Sequence, residues 1–413
     1  MLSVTEAQEA ILSEIRPLES EVVDLLSALG RVLAEDVQSD IDLPPFDNSS
    51  MDGYAVHAAD VIAAAPDRPV RLPVIADVPA GHPIDLDVPR GAAVRITTGA
   101  MLPRGVDAVV PVEDTDDGAR GASRLPESIG IARRVEPGAF VRYAGDDVKR
   151  GEQVLAAGTL IRPAEIALMA GVGHTQVRVH RRPRVAVLST GDELVRPDQQ
   201  PGVGQIRNVN DSAVAALVLQ HGGVPLALGV ARDDFDDVAA RLESAIGQGA
   251  DLIVASAGVS VGAYDLVKDA VSAHGSINLW RVRMRPGKPL AFGRYRNTPF
   301  FGLPGNPVSA LLTFEQFVRP VLRVMAGFAD WRKTTITVTL LEPVDSDGRE
   351  TYARARVARD GERWVARLSG GQGSNMLGSL ARANALVIVP DGVTRLAAGD
   401  EAQAQLLGPL GTD

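Results

Sequence analysis

From about residue 184 to about residue 328 one pattern repeats: a short apolar segment, a turn of small residues, then helical spacing. That alternation constrains the fold more than any other feature of the chain. RVAVL at 184–188 reads as a buried strand running into Ser189-Thr190-Gly191-Asp192-Glu193. A helix is predicted next, capped by Asn210, Asp211 or Ser212, with Val214, Leu217, Val218 and His221 on one face and Gly222-Gly223 as its stop. The strand PLALGV, a helix over 236–246, the strand DLIVASAG, a helix near 265–273 and a long apolar helix from about Val308 continue the series. Strands and helices alternating at this length predict a doubly wound, mostly parallel α/β domain. Pro320 lies inside the last helix and predicts a kink or break there.

The flanks differ in texture. Residues 3–15 predict an amphipathic helix, with Ser3 and Glu6 as a capping box, Ala7, Ile11 and Ile15 on one face, and Pro17 as a stop. Val22, Leu25, Leu26 and Leu29 predict a second helix over 20–29, ended by Gly30. Between about 40 and 160, short apolar segments separated by Pro and Gly predict a small β-rich unit. After about 330, TTITVTLLEPV, YARARVARD, WVARL and ALVIVP predict a C-terminal β domain. The Asp/Gly-rich 113–123 reads as an exposed loop.

A length of 413 residues corresponds to two to four domains, and 45% hydrophobic with 23% charged residues is the balance of a folded chain with a sizeable core. The formal charge of −10 argues against a nucleic-acid partner or an anionic membrane. With no cysteine, thiolate nucleophiles, Fe–S clusters and Cys-type zinc sites are excluded. The six histidines lack HxH or HExxH spacing, so any metal is expected to be a hard ion on Asp and Glu oxygens. The N-terminus lacks the regions of a signal peptide and no apolar run reaches the length of a membrane span, which leaves the cytoplasm as the expected location.

In an open parallel sheet, ligands bind where strands end at their carboxyl edge. Three loops fall there: Ser189–Glu193, the segment 256–262 with Gly258, Ser260 and Gly262, and the segment 302–309 with Pro304, Pro307 and Ser309. Small residues let backbone N–H groups approach an anion, so three such loops favour a phosphate-bearing ligand over plain tight turns. Glu193, Asp233-Asp234 and Asp265 accompany them and suit Mg²⁺, although any one of these aspartates can instead cap a helix. In WRVRMRPGKP, Arg281, Arg283 and Arg285 alternate with Val282 and Met284, so one strand would carry all three on one face, with Lys288 on the following turn. That is either a solvated edge strand or an anion site. Asp47, Asp52, Asp146 and Asp147 read as turn formers on composition alone.

Ten segments, in this order, resemble one family: PFDNSSMDGYAV, RITTGAMLP, VRYAGDDV, LSTGDEL, GQIRNVN, ARDD, AGVSVGAYD, RPGKPLAFG, GLPGNPVSALLTF and QGSNML. The chain resembles the molybdopterin molybdenumtransferases, the molybdenum insertases that include the gephyrin E domain, from about residue 3 to about 408. The resemblance implies a homodimer of four-part subunits: an elongated domain from 1–44 and 136–180, an inserted β-rich domain at 45–135, an α/β molybdopterin-binding domain at 181–328 and a C-terminal β-barrel at 329–413. It implies Mg²⁺-dependent hydrolysis of adenylylated molybdopterin, transfer of molybdenum from molybdate to the dithiolene sulfurs, and release of AMP. The cleft would lie at the dimer interface, and the molybdopterin adenylyltransferase and recipient molybdoenzymes would be protein partners. Asp52, Thr98, Asp147, Glu193, Asp233 and Asp265 match positions needed for activity, with Asp233, Asp265 and Glu193 toward the cation. Arg285, Lys288, Ser309, Arg354 and Ser374 match molybdate-binding positions, with Arg281 beside them. Departures from the pattern are Ala257-Gly258 for Gly-Gly, Arg for the frequent Lys at 281 and 285, and a divergent YARARV in which Arg356 is the alternative to Arg354. A scaffold of the same fold, or an adenylyltransferase, is the competing reading. Retention of Asp52, Glu193, Asp233 and Asp265 speaks against the scaffold, and the extra β domains speak against the adenylyltransferase.

Overall fold

The computed structural model describes residues 1–117, 124–256 and 266–408, and the chain divides into two compact units. One unit comprises 1–23, 30–34 and the chain from 178 onward; the other comprises 24–29 and 35–177.

The first unit opens on helix α1 (Val4–Ser13). Its capping box forms as the sequence predicts: the Ser3 hydroxyl accepts from the Glu6 N–H at 3.1 Å, and the Ser3 N–H donates to the Glu6 carboxylate at 2.8 Å. Ala7, Ile11 and Ile15 are buried on its inner face. The predicted helix over 20–29 does not form. Ser20–Asp24 is a strand paired with Gln176–His180, and Leu25–Ala28 is a single 3₁₀ turn. Val22-Val23 are β-branched and favour extended backbone, and Leu26, with 80% of its surface exposed, has no core to face.

The α/β sheet runs in the order Val224–Ala231, Arg184–Thr190, Leu252–Ser256, Thr298–Leu303, Pro289–Tyr295, Gly275–Arg281. The first four strands are parallel, and the last two are antiparallel additions at one edge. Alternation along the central strand explains the double winding. Val185 and Val187 join a core with Val214 and Val218, whereas Ala186 and Leu188 join another with Val238, Leu242, Val267 and Val271. Four helices supply these partners: α3 (Asn210–Gln220) and α6 (Pro307–Thr313) on one face, α4 (Phe235–Gly247) and α5 (Leu266–His274) on the other. Each Val or Leu so buried contributes about 1.5–3 kcal/mol. The predicted long apolar helix is interrupted as Pro320 requires: a π-turn, Phe314–Val318, separates α6 from α7 (Arg319–Met325).

The basic segment corrects the single-strand expectation. One strand ends at Arg281 in the α/β sheet, and Met284–Arg285 is a second, pairing with Glu350–Asp360 of the C-terminal domain. Val282 and Met284 are fully buried, as alternation predicts, but the cations between them are divided between two sheets. In the C-terminal domain, five strands pair in a ring (Glu350–Asp360, Arg363–Leu368, Thr335–Leu340, Glu401–Leu406, Ala385–Val389, and back to the first), a closed barrel without a free edge. A short helix, α8 (Leu377–Arg382), lies beside the ring.

The second unit contains a five-stranded sheet in the order Ala108–Pro111, Gly53–Val56, Ala93–Ile96, Val70–Val78, Ser128–Ile131, the β-rich texture read from the sequence. It also contains a helix absent from the sequence expectations, α2 (Pro163–Gly171), with Pro163 in its first turn and Glu165 closing back on the Arg162 N–H at 2.8 Å. No helix among the described residues is long and apolar enough to cross a membrane.

Candidate active site

The first strand-end loop is built on a buried polar hub. The Arg184–Thr190 and Leu252–Ser256 strands pair with Ser189 opposite Ser256, and their hydroxyls lie 2.7 Å apart. Ser189 also donates to the Asp211 carboxylate in the first turn of α3, while the Asp211 N–H donates to the Asn208 side-chain carbonyl at 3.3 Å. The N-cap position is Val209, so none of Asn210, Asp211 or Ser212 caps the helix as the sequence suggested; Asn208, just before it, accepts from the first turn instead. Asn210 instead donates to the Gly305 carbonyl at 2.9 Å, which ties α3 to the third loop. Burial raises the Asp211 carboxyl above its ordinary range, and the bonds from Ser189 and Asn208 offset part of that rise.

Beyond Thr190, which is buried, the chain turns at Gly191 with φ +142°. A Cβ there would lie 2.5 Å from the Glu193 carboxylate, so only glycine lets that side chain fold back over the turn. Asp192 and Asp233 lie across from each other: the Asp233 N–H donates to the Asp192 carboxylate at 3.2 Å. Asp234, not Asp233, caps α4, accepting from the Asp237 N–H at 3.0 Å. Asp192, Glu193 and Asp233 are all exposed. Among the described residues no three His, Asp or Glu side chains are grouped as a metal site. Gly258, Ser260, Gly262 and Asp265 lie outside the described residues. The donor set is nonetheless hard oxygen at one sheet edge. Mg²⁺ needs only one or two carboxylates when substrate phosphate and water complete its shell, so the residues fit that ion.

A cationic centre forms where the barrel meets the third loop. Pro304 and Gly305 follow the Thr298–Leu303 strand, and Pro307 opens α6, where a missing N–H costs nothing. The Val308 N–H donates to the Ser374 carbonyl at 3.1 Å, which holds the barrel loop against α6, and Ser309 is buried. Arg354 is fully buried: Nε donates to the Ser379 hydroxyl at 2.8 Å, and Nη2 to the Gly371 and Gly373 carbonyls at 2.9 and 3.2 Å. Its Nη1 has no partner, and burial lowers its pKa. Arg354 and Arg285 line one cavity of about 240 Å³, with Thr351 and Gln372. Gly287, at φ +110°, presses the turn after Arg285 onto α6, because a Cβ there would lie 2.5 Å from the Thr313 hydroxyl.

The other two arginines of the basic segment are placed differently. Arg283 pairs with Asp391 at 2.8 Å, and Arg281 is exposed, as is Lys288 on the turn. Arg285 and Arg354 line one small cavity together with Asp345, and one Arg354 donor is left without a partner; a pair of guanidiniums of this kind can recognise an oxyanion.

In the second unit, one Asp52 carboxylate oxygen accepts from both the backbone N–H and the hydroxyl of Thr98, at 2.7 and 3.0 Å. Two positions singled out separately in the sequence thus form one contact. Asp147 is exposed, and its N–H donates to the Leu43 carbonyl at 2.9 Å. Sequence reasoning missed the hub role of Asn208 and Asp211 and the part of Gln372. The polar run Asn208-Val209-Asn210-Asp211 ahead of a helix was the available signal, and capping absorbed it.

Three family matches together span most of the chain: the MoeA N-terminal region (domain I and II) over residues 2–173, a probable molybdopterin binding domain over 186–324, and the MoeA C-terminal region (domain IV) over 337–407. A molybdopterin molybdenumtransferase from Nostoc sp. is 40% identical over 412 residues, covering 97% of this chain and 93% of its own. Molybdopterin molybdenumtransferase 2 of Mycobacterium tuberculosis is 40% identical over 414 residues, covering 98% and 99%. The crystal structure of a molybdopterin biosynthesis MoeA protein from Pyrococcus horikoshii superposes with a TM-score of 0.80 at 33% identity, covering 99% of this chain and all of the other. By sequence along nearly its whole length and by fold, the chain belongs to the MoeA family of molybdopterin molybdenumtransferases.

Proposed function

We propose that the protein acts in molybdenum cofactor biosynthesis by transferring molybdenum from molybdate to adenylylated molybdopterin, with hydrolysis of the phosphoanhydride and release of AMP. The observation that carries this reading is the pairing of Arg285 and Arg354 in one cavity, with Arg354 Nη1 buried and unpaired. A tetrahedral dianion is the ligand such a pair recognises, and Ser309, Ser374 and Lys288 from the adjoining loops would complete its donors. Arg281, exposed at the end of its strand, would add positive charge nearby.

The pterin and its phosphates would lie along the three strand-end loops. Ser189, Thr190 and Gly191 approach the phosphates, together with Gly258, Ser260 and Gly262 of the second loop and Pro304 and Pro307 of the third. The Ser189–Asp211–Ser256 hub keeps the first two strands in register under that load. Mg²⁺, held by Asp233, Asp265 and Glu193, would neutralise charge developing on the phosphoanhydride. Asp52, oriented by Thr98, and Asp147 would act from the β-rich part, completing the site in a homodimer. The four-part division of the subunit, a cytoplasmic location, and contacts with the molybdopterin adenylyltransferase and recipient molybdoenzymes belong to the same proposal.

The test compares wild type with Asp233→Asn, supplied with adenylylated molybdopterin, molybdate and Mg²⁺. AMP release falls at least 100-fold in the variant while pterin binding, read by fluorescence quenching, stays within threefold. Wild-type AMP release from Asp233→Asn would remove Asp233 from the chemistry.

A further inference from the structure

A second basic cavity lies at the opposite edge of the α/β sheet from the strand-end loops. Helix α3 starts at Asn210 beside the Gly305 carbonyl and ends near His221, eleven residues and about 16 Å further on at 1.5 Å per residue. His221 lines a cavity of about 400 Å³ together with Arg319, Arg323, Arg332, Lys333 and Leu407.

Its charges do not balance. Glu315 is the buried carboxylate that contacts its lining residues, 2.9 Å from Lys333, 3.7 Å from Arg319 and 3.4 Å from His221. Arg319 and Arg323 spend donors on backbone carbonyls: Arg319 bonds the Glu315 carbonyl at 3.3 Å and that of Trp331 at 2.7 Å, and Arg323 bonds the Asp330 carbonyl at 3.2 Å. Those bonds fix the planes of the guanidiniums without neutralising them. Arg323 also lies 3.7 Å over the Phe328 ring, which holds its position. The Asp330 carboxylate is 77% exposed and 3.9 Å from an Arg332 that is 73% exposed, so this pair contributes little. Among the described residues, the three held cations and the exposed Arg332 therefore face two carboxylates, Glu315 and the exposed Asp330, leaving two positive charges over. Burial drives all three cations toward neutrality, Arg319 down to about 10. Confining like charges in this way is costly unless a ligand compensates them.

We propose that this cavity binds a phosphate dianion, carried by a small phosphate monoester or by free phosphate. Two excess charges match a phosphate dianion, and fixed guanidiniums match its oxygens bidentately. The volume lies within the range of small-molecule sites, and Leu406 and Leu407 offer an apolar wall to the group esterified to the phosphate. The site is separate from the molybdate and pterin positions proposed above and would sense phosphorylated metabolites without contacting the reacting groups.

The test is calorimetric titration of the full-length protein with phenyl phosphate and, separately, with inorganic phosphate, in wild type, Arg323→Gln, Arg332→Gln and Arg285→Met. The phenyl phosphate binding event at this cavity weakens at least tenfold in Arg323→Gln and about threefold in the exposed Arg332→Gln, and it persists in Arg285→Met, where any separate event at the Arg285–Arg354 cavity is lost. Tighter binding of phenyl phosphate than of phosphate assigns the site to a monoester; equal binding assigns it to free phosphate. Absence of binding in wild type, or loss confined to Arg285→Met, overturns the proposal. Should Arg323→Gln fail to fold, an unchanged affinity in Arg332→Gln overturns it equally.

Discussion

Replacing Arg285 by Met tests the oxyanion site with a built-in control two residues away. Arg285 is half-buried in the cavity it shares with Arg354 and Asp345, and among the described residues it makes no salt bridge, although its charge acts on Asp347 nearby. Arg283 has spent its charge on Asp391 at 2.8 Å. A hydrogen bond to a charged group is worth about 1.5–3 kcal/mol, so losing the Arg285 contact weakens molybdate binding about 10- to 150-fold. Arg283→Met removes a cation of the same kind and leaves molybdate affinity within twofold. Both side chains are partly solvated, so low ionic strength widens the contrast and high salt narrows it. The assay is equilibrium dialysis of molybdate at fixed ionic strength, with thermal unfolding of each variant as the folding control. Equal affinities in the two folded variants would refute the argument, because the distinction between a paired and an unpaired arginine would then carry no energy.

Three further outcomes follow from the same geometry. Gly191→Ala places a methyl 2.5 Å from the Glu193 carboxylate at φ +142°; urea unfolding should show a loss of about 1–3 kcal/mol, with reduced AMP release. Asp211 has its carboxyl raised by burial, so the native state holds its proton longer than the unfolded chain does, and stability falls as pH rises from the ordinary 3.8 through the native value. Asp211→Asn removes that dependence, and its stability relative to wild type should increase across the same interval in pH-resolved denaturation. Burial works to raise the Glu315 carboxyl as well, yet bonds from His221 and Lys333 overcome it and hold it down at about 2. Its contribution is therefore complete above the ordinary 4.5 and lost as pH falls toward 2, and Glu315→Gln should cost about 3–5 kcal/mol at neutral pH by stranding Lys333.

The α/β domain was legible because its signals are local. Alternation in RVAVL set the two core faces, the Ser3–Glu6 box started α1, and Pro320 marked the interruption of the last helix. The failure at 20–29 came from a pattern of four apolar residues that matches a helix face but has no core opposite; Leu26 points to solvent. Helix α2 was missed although Pro163 and Glu165 carry its start signal, since Pro and Gly punctuation dominates the surrounding stretch. The cavity shared by Arg285 and Arg354 was half visible. Arg285 was marked by its neighbours, but its meeting with Arg354 depends on a pairing between Met284–Arg285 and the barrel, a contact of high sequence separation that no local spacing encodes. Asp211 was read as a helix cap because capping and hub-forming aspartates look alike until the strand beside them is placed.

The central claim is that this site moves molybdenum as well as binding its substrates. The direct measurement gives the purified protein adenylylated molybdopterin, molybdate and Mg²⁺, adds a cofactor-free molybdoenzyme, and follows AMP release and recovered enzyme activity together. With wild type both should rise in parallel, and with Arg285→Met reconstitution should fail at limiting molybdate. Reconstitution no greater than in a control without the protein would contradict it.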